Sequence, residues 1–192
     1  MTYRTNQPPF TLRFEQMPKE ELKAYYRWFL DQIPGRIAEL ETAVNETPGY
    51  ESWRADRMPS SLDALGAWFM QQVETRPRTE PELDEIEAGS PYPIDVSPNE
   101  LTNRTFSLAI DIGMYLSQVI LRNLSGVRWE HPLRRMKDVD YGQPVLRGSA
   151  RVPANPVRLI VTLAYGITRK GQRPERLREL YDIWSHNLLA DE

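Results

Sequence analysis

The sequence predicts a mainly helical α+β fold in a single domain, residues 1–192, with a small antiparallel β-sheet in its C-terminal half. Two observations carry that expectation. Residues 99–123 place Leu101, Leu108, Ile112, Tyr115, Leu116, Val119 and Ile120 three and four apart, the helix period, and several other segments share it. Between Val127 and Gly148 the chain instead breaks into short segments separated by proline and glycine, the texture of a small antiparallel sheet.

Taken in order, Phe10, Leu12 and Phe14 alternate with polar residues and predict a short strand or an extended arm on the core. Met17-Pro18-Lys19 opens a helix that buries Leu22, Tyr25, Tyr26, Phe29 and Ile33. Pro34 lacks a backbone donor and precedes Gly35, so a break or kink is expected there, followed by a second helix over 34–44. The run from Tyr25 to Phe29 suits a helix face in the core better than a stacking platform. Ser60 and Ser61 read as caps of a helix carrying Leu62, Leu65, Trp68, Phe69 and Val73. Residues 76–98 hold five prolines and a string of acids, which predicts a long Pro-rich acidic connection, a lid or a solvated linker, with at most a short helix around Leu83 and Ile86.

Ser97 and Pro98 supply a cap and a first-turn proline for the long helix. Gly113 within it and Gly66 in the earlier helix share the pattern apolar-Gly-x-aromatic-apolar-x-Gln. A mid-helix glycine costs up to about 1 kcal/mol relative to alanine. Close crossing of these two helices would account for both. Asn155-Pro156 signals a helix start, but residues 157–167 fit neither period cleanly and stay open between helix and strand, with helix favoured by the cap. A final amphipathic helix runs over 174–189.

Composition narrows the chemistry. The net charge of −3 gives no footprint for general nucleic-acid binding. With no cysteine and only His131 and His186, disulfides, thiol catalysis, thiolate zinc sites and an all-histidine metal site are excluded. No apolar run approaches the roughly 18 residues of a spanning helix. With no basic-then-apolar leader either, a cytoplasmic protein without membrane contact is expected. Neither phosphate-cradling glycine motif occurs, nor a Gly-x-Ser-x-Gly elbow, so no cofactor is expected. Asp138 and Asp140 lack the further oxygen ligands of a calcium loop and read as a polar turn. The basic run 169–176 reads as a solvated turn, and both histidines read as isolated surface groups.

The least ordinary polar residue is Asp111, set among Ala109, Ile110, Ile112 and Gly113. It is expected to pair with Arg104, Gln118 or a distant cation. Together with Tyr115, Gln118, Trp129, Glu130 and Asp140 it forms the candidate ligand-binding set; the favoured alternative is a solvated or structurally paired acid on the outer face of the helix.

Tyr50-Glu-Ser-Trp53-Arg-Ala-Asp56, Pro59-Ser-Ser-Leu62, Leu65-Gly-Ala-Trp68-Phe69, Asp111-Ile-Gly113-Met-Tyr115-Leu, Arg128-Trp129 and Asp140-Tyr-Gly-Gln143-Pro together resemble an uncharacterised bacterial protein family. The glycine-aromatic helix followed by a tryptophan strand is also similar to small domains grouped with the immunity proteins of bacterial toxin systems. The resemblance spans about residues 50–156 and implies no catalytic residues. Gln118 stands where such domains often carry an acid. What it implies is a non-catalytic binding module with a protein partner such as a toxin. The alternative is a small-molecule receptor or enzyme with a pocket near Asp111 and Trp129, and pairing of two copies through an aromatic helix face is a third expectation.

Overall fold

The computed structural model describes residues 3–89, 92, 96–169 and 173–189. Its described elements are α1 (Lys19–Asn45), α2 (Ser61–Gln72), β1 (Thr75–Pro77), α3 (Glu80–Gly89), β2 (Asn99–Leu101), α4 (Asn103–Asn123), β3 (Arg128–Glu130), β4 (Val145–Arg147), α5 (Pro156–Thr168) and α6 (Arg176–Leu189). β1 pairs antiparallel with β2, and β3 antiparallel with β4. The fold is therefore mainly helical α+β. The expected C-terminal sheet is β3–β4, and a second two-stranded ladder lies outside it.

α4 is the central element. It packs against α5, α1 and α6, and Asp111 to Ser117 are buried without interruption, so no face of those two turns meets water. The outer-face position expected for Asp111 is therefore not found: Ser107 and Asp111 are interior, Arg104 and Gln118 half-buried, and Arg122 near the end of the helix is exposed. The helix starts five residues later than Pro98 suggested, because residues 99–101 are taken by the ladder with β1. Thr102 is the cap instead, its hydroxyl accepting from Thr105 N at 3.2 Å.

Pro34 does not divide α1. Leu22, Tyr25, Phe29, Ile33, Ile37, Leu40 and Val44 form one buried stripe that keeps its phase through the proline. A proline inside a helix costs about 3 kcal/mol. Burying each of Ile37, Leu40 and Val44 returns roughly 1.5–3 kcal/mol, so continuing the helix wins. Pro34 also lies on the exposed face, where the carbonyl that loses its donor can be hydrated.

The N-terminal residues form an irregular strap and no strand. Phe10 and Phe14 turn their rings edge-on to Tyr25, at 5.5 and 5.1 Å. Leu12 between them sits at φ 58°, which interrupts the alternation.

The acidic connection is tied at its base. Thr75↔Leu101, Arg76↔Glu100 and Pro77↔Asn99 pair across the ladder, and α3 forms in between, around Leu83 and Ile86. Glu100 takes both the Arg78 guanidinium and the Tyr165 hydroxyl, which fastens this ladder to α5. Residues 90, 91 and 93–95 of the connection lie outside the described residues, as do 170–172 of the basic run.

Both mid-helix glycines do permit close approach, but to other helices than expected. A Cβ on Gly113 would lie 2.8 Å from Val157 Cα at the start of α5, and one on Gly66 would collide with the Pro174 carbonyl before α6. α5 is a helix, capped as predicted by Asn155, whose side chain accepts from Arg158 N at 3.0 Å. Ser60 makes no side-chain cap bond to α2, and the Ser61 hydroxyl reaches Met58 O and Tyr115 instead. Near the end of α6, Leu188 O accepts from Ala150 N at 3.1 Å and lies so close to Gly148 that no side chain fits there.

Candidate functional site

The candidate ligand set does not converge on one cavity. Asp111 is fully buried and closed off by protein. Arg36 of α1 grips it bidentately, Nε donating to Oδ1 at 2.8 Å and Nη2 to Oδ2 at 2.6 Å, and the Tyr3 hydroxyl donates to Oδ2 at 2.5 Å. Ser107 completes the knot, 2.8 Å from the Tyr3 hydroxyl and accepting from Asn6 N. The partner is thus the distant cation; Arg104 bonds Gln72, and Gln118 bonds Ser117. Burial pushes the Asp111 carboxyl above its ordinary value, against the pull of Arg36 and Tyr3. Burial, followed by the charge of Asp111, also raises the Tyr3 phenol.

Tyr115, one turn along α4, serves a different neighbourhood. Its hydroxyl lies 2.6 Å from Ser61 Oγ and accepts from Arg57 N at 3.1 Å, while its ring meets Trp53 edge-on. Trp129 packs its ring edge-on to Phe29 at 5.7 Å, and Glu130 pairs with Arg147 at 3.2 Å across the β3–β4 ladder. Asp140 is buried and accepts from Asn155 Nδ2 at 2.8 Å and Arg158 Nη2 at 3.1 Å, holding the cap of α5 in place. Each polar group therefore has a structural partner of its own. Asp138, its neighbour in the acidic turn, is exposed.

His131 is not an isolated surface group. It stacks on Tyr26 with ring centroids 4.5 Å apart and planes 3° from parallel, and its Nε2 lies 3.2 Å from Gly142 O. Burial lowers its pKa, so the neutral ring is favoured.

The surface that stands out is one the hydrophobic periodicity leaves unremarked, the loop 133–139. Met136 is 58% exposed and Val139 71%. Around them Arg134, Arg135 and Lys137 are exposed and form no ion pair among the described residues. The loop is braced at its base: Gly142 N donates to Pro132 O at 2.8 Å, Tyr141 N to Asp138 O at 2.9 Å, and Gly142 sits at φ 73° against Leu22. Beside it runs a cleft of about 340 Å³ between Arg13, Phe14 and Gln16 on one side and Asp138, Val139 and Tyr141 on the other. The only sequence sign of this surface is the basic-apolar alternation Arg134-Arg-Met136-Lys.

No helix among the described residues is long and apolar enough to cross a membrane, and no group of three or more His, Asp or Glu among them is placed to hold a metal ion. No family model matches the chain, and no curated protein or solved structure matches it either.

Proposed function

We propose that the protein is a non-catalytic binding module that docks an acidic protein surface on the loop 133–139 and the cleft beside it. The observation that carries this reading is the pair of exposed apolar side chains, Met136 and Val139, set among three cations that no acid among the described residues engages. An apolar centre with a charged rim is the composition of a protein interface, and methionine and arginine are enriched in such patches. Unpaired cations contribute chiefly by steering an acidic partner and rejecting a basic one. A net charge of −3 makes the phosphate backbone of nucleic acid a poorer match than a local acidic patch on a protein. The resemblance to toxin-immunity domains supports the same class, because such domains act by covering another protein.

The test is photo-crosslinking in an extract of the source cells from a reactive analogue at Met136, with a second at Arg27 on α1 as control. The expected result is one protein crosslinked from Met136 alone, lost in the charge-reversed variant R134E/R135E/K137E and weakened by added salt. Equal crosslinking of the same protein by the charge-reversed variant would overturn the reading.

A further inference from the structure

Beneath the N-terminal strap lies a second, more enclosed space, which adjoins the docking cleft at Phe14 and Gln143 and lies apart from the loop 133–139. It is a cavity of about 100 Å³ walled by Leu12 and Phe14 of the strap, by Tyr25, Trp28 and Phe29 of α1, and by Ile110 of α4. The polar groups at its edge are amides. Asn155 Nδ2 is committed to Asp140 and Gln143, and Gln143 Nε2 donates to Val139 O. Asn6 is the exception: its Nδ2 is buried and has no hydrogen-bond partner, although its backbone N–H is satisfied by Ser107. The Tyr25 hydroxyl in the same lining makes no hydrogen bond among the described residues.

A buried unpaired donor carries a desolvation penalty and needs an explanation. A buried water needs two to four polar partners; among the described residues of this lining only Asn6 Nδ2 and the Tyr25 hydroxyl are unpaired and most of the wall is aromatic and aliphatic, so water at that end leaves the rest of the space unfilled. What fits is a body that fills apolar space and carries an acceptor at one end. Leu12, at φ 58°, holds a backbone conformation that leucine rarely adopts while forming one wall. Such conformations gather at ligand clamps. The strap is itself latched from within, through Tyr3 on Asp111 and Asn6 N on Ser107, so the cavity roof is anchored to the central helix.

From these contacts we infer that the cavity is a binding site for a small apolar molecule bearing one carbonyl, of about four non-hydrogen atoms, whose oxygen accepts from Asn6 Nδ2. The site is separate from the loop 133–139, and its failure would leave the docking reading intact. The size follows by scaling from a cavity of about 150 Å³, which holds the roughly six carbons of benzene, to the about 100 Å³ available here.

The test uses the full chain, labelled with ¹⁵N, and acetone as probe, with isobutene as the same shape without an acceptor. Acetone is expected to shift the Asn6 side-chain amide resonances saturably. N6A is expected to leave the free protein as stable as before, to weaken acetone about tenfold and to leave isobutene unchanged. I110W, which fills the space, should abolish binding of both. If I110W does not fold, the N6A comparison alone decides. No saturable shift of the Asn6 amide, or equal binding of acetone by N6A and the parent chain, would overturn the assignment.

Discussion

The molecule contains two arginine–carboxylate forks of nearly the same geometry in opposite surroundings. Arg36 holds Asp111 at 2.8 and 2.6 Å inside the core, and Arg76 holds Glu82 at 2.9 and 2.6 Å at the base of α3. The Asp111 side chain is 0% exposed and that of Glu82 36%. Their pKa values move in opposite directions. Burial raises Asp111, whereas the hydrogen bond from Arg76, with help from Thr79 N, lowers Glu82 to about 2. Bond geometry therefore does not tell what an ion pair contributes; access to water does.

The sharpest way to break this contrast is R36A. It leaves a buried carboxylate with one phenol for company, and a loss of about 3–5 kcal/mol in urea unfolding is expected. R76A should leave the urea midpoint nearly unchanged in the same assay. A smaller effect follows from Y3F, which removes one hydrogen bond to the buried carboxylate and should cost about 1.5–3 kcal/mol. Near-wild-type stability in Y3F would show that the strap is not latched by that bond.

The smallest effect is the pH response of the exposed fork. Glu82 has a depressed pKa in the folded chain, so its contribution is fully present above the ordinary carboxylate value of 4.5 and is lost as pH falls from there toward about 2. Hydrogen exchange at Arg78 N, which donates to Pro98 O beside the β1–β2 ladder, should quicken across that window relative to amides in α4. E82Q should remove the pH dependence. If exchange at Arg78 quickens with the same pH profile in E82Q, the fork does not set the stability of that region.

Much of the architecture was legible from local pattern. The stripe of α4, the Asn155-Pro156 start of α5 and the short helix around Leu83 all rest on signals within a few residues of one another. Long-range pairing was not. Residues 99–101 carry a helix-start signature, yet they join β1 across more than twenty intervening residues, and no local propensity encodes that choice. Pro34 misleads for the opposite reason, because a local penalty is overridden by a buried stripe whose continuity is a tertiary property.

The site was legible only in part. Asp111 stands out as an acid among apolar neighbours, which marks it for attention but leaves its partner open between Arg104, Gln118 and a distant cation and favours an outer-face position, whereas it is fully buried. Its partners, Arg36 and Tyr3, lie 75 and 108 residues away in sequence and carry no mark of the role. Asp140 and Trp129 are placed by the turns and ladder around them, each with neighbours of its own, so six chemically suggestive residues stay dispersed. Asn6 was invisible, since an unsatisfied donor is a property of surroundings and not of a motif.

The way the chain is fastened near both ends has a mechanical consequence. Tyr3 is sewn to the central helix through Asp111, and Leu188 is pinned to the backbone around Gly148 and Ala150. A pull on one end strains a buried charge cluster, and a pull on the other strains a backbone contact with no room to slip. Under tension this molecule should resist as a block before any helix unwinds, where a domain with loose ends would first unravel from its tips.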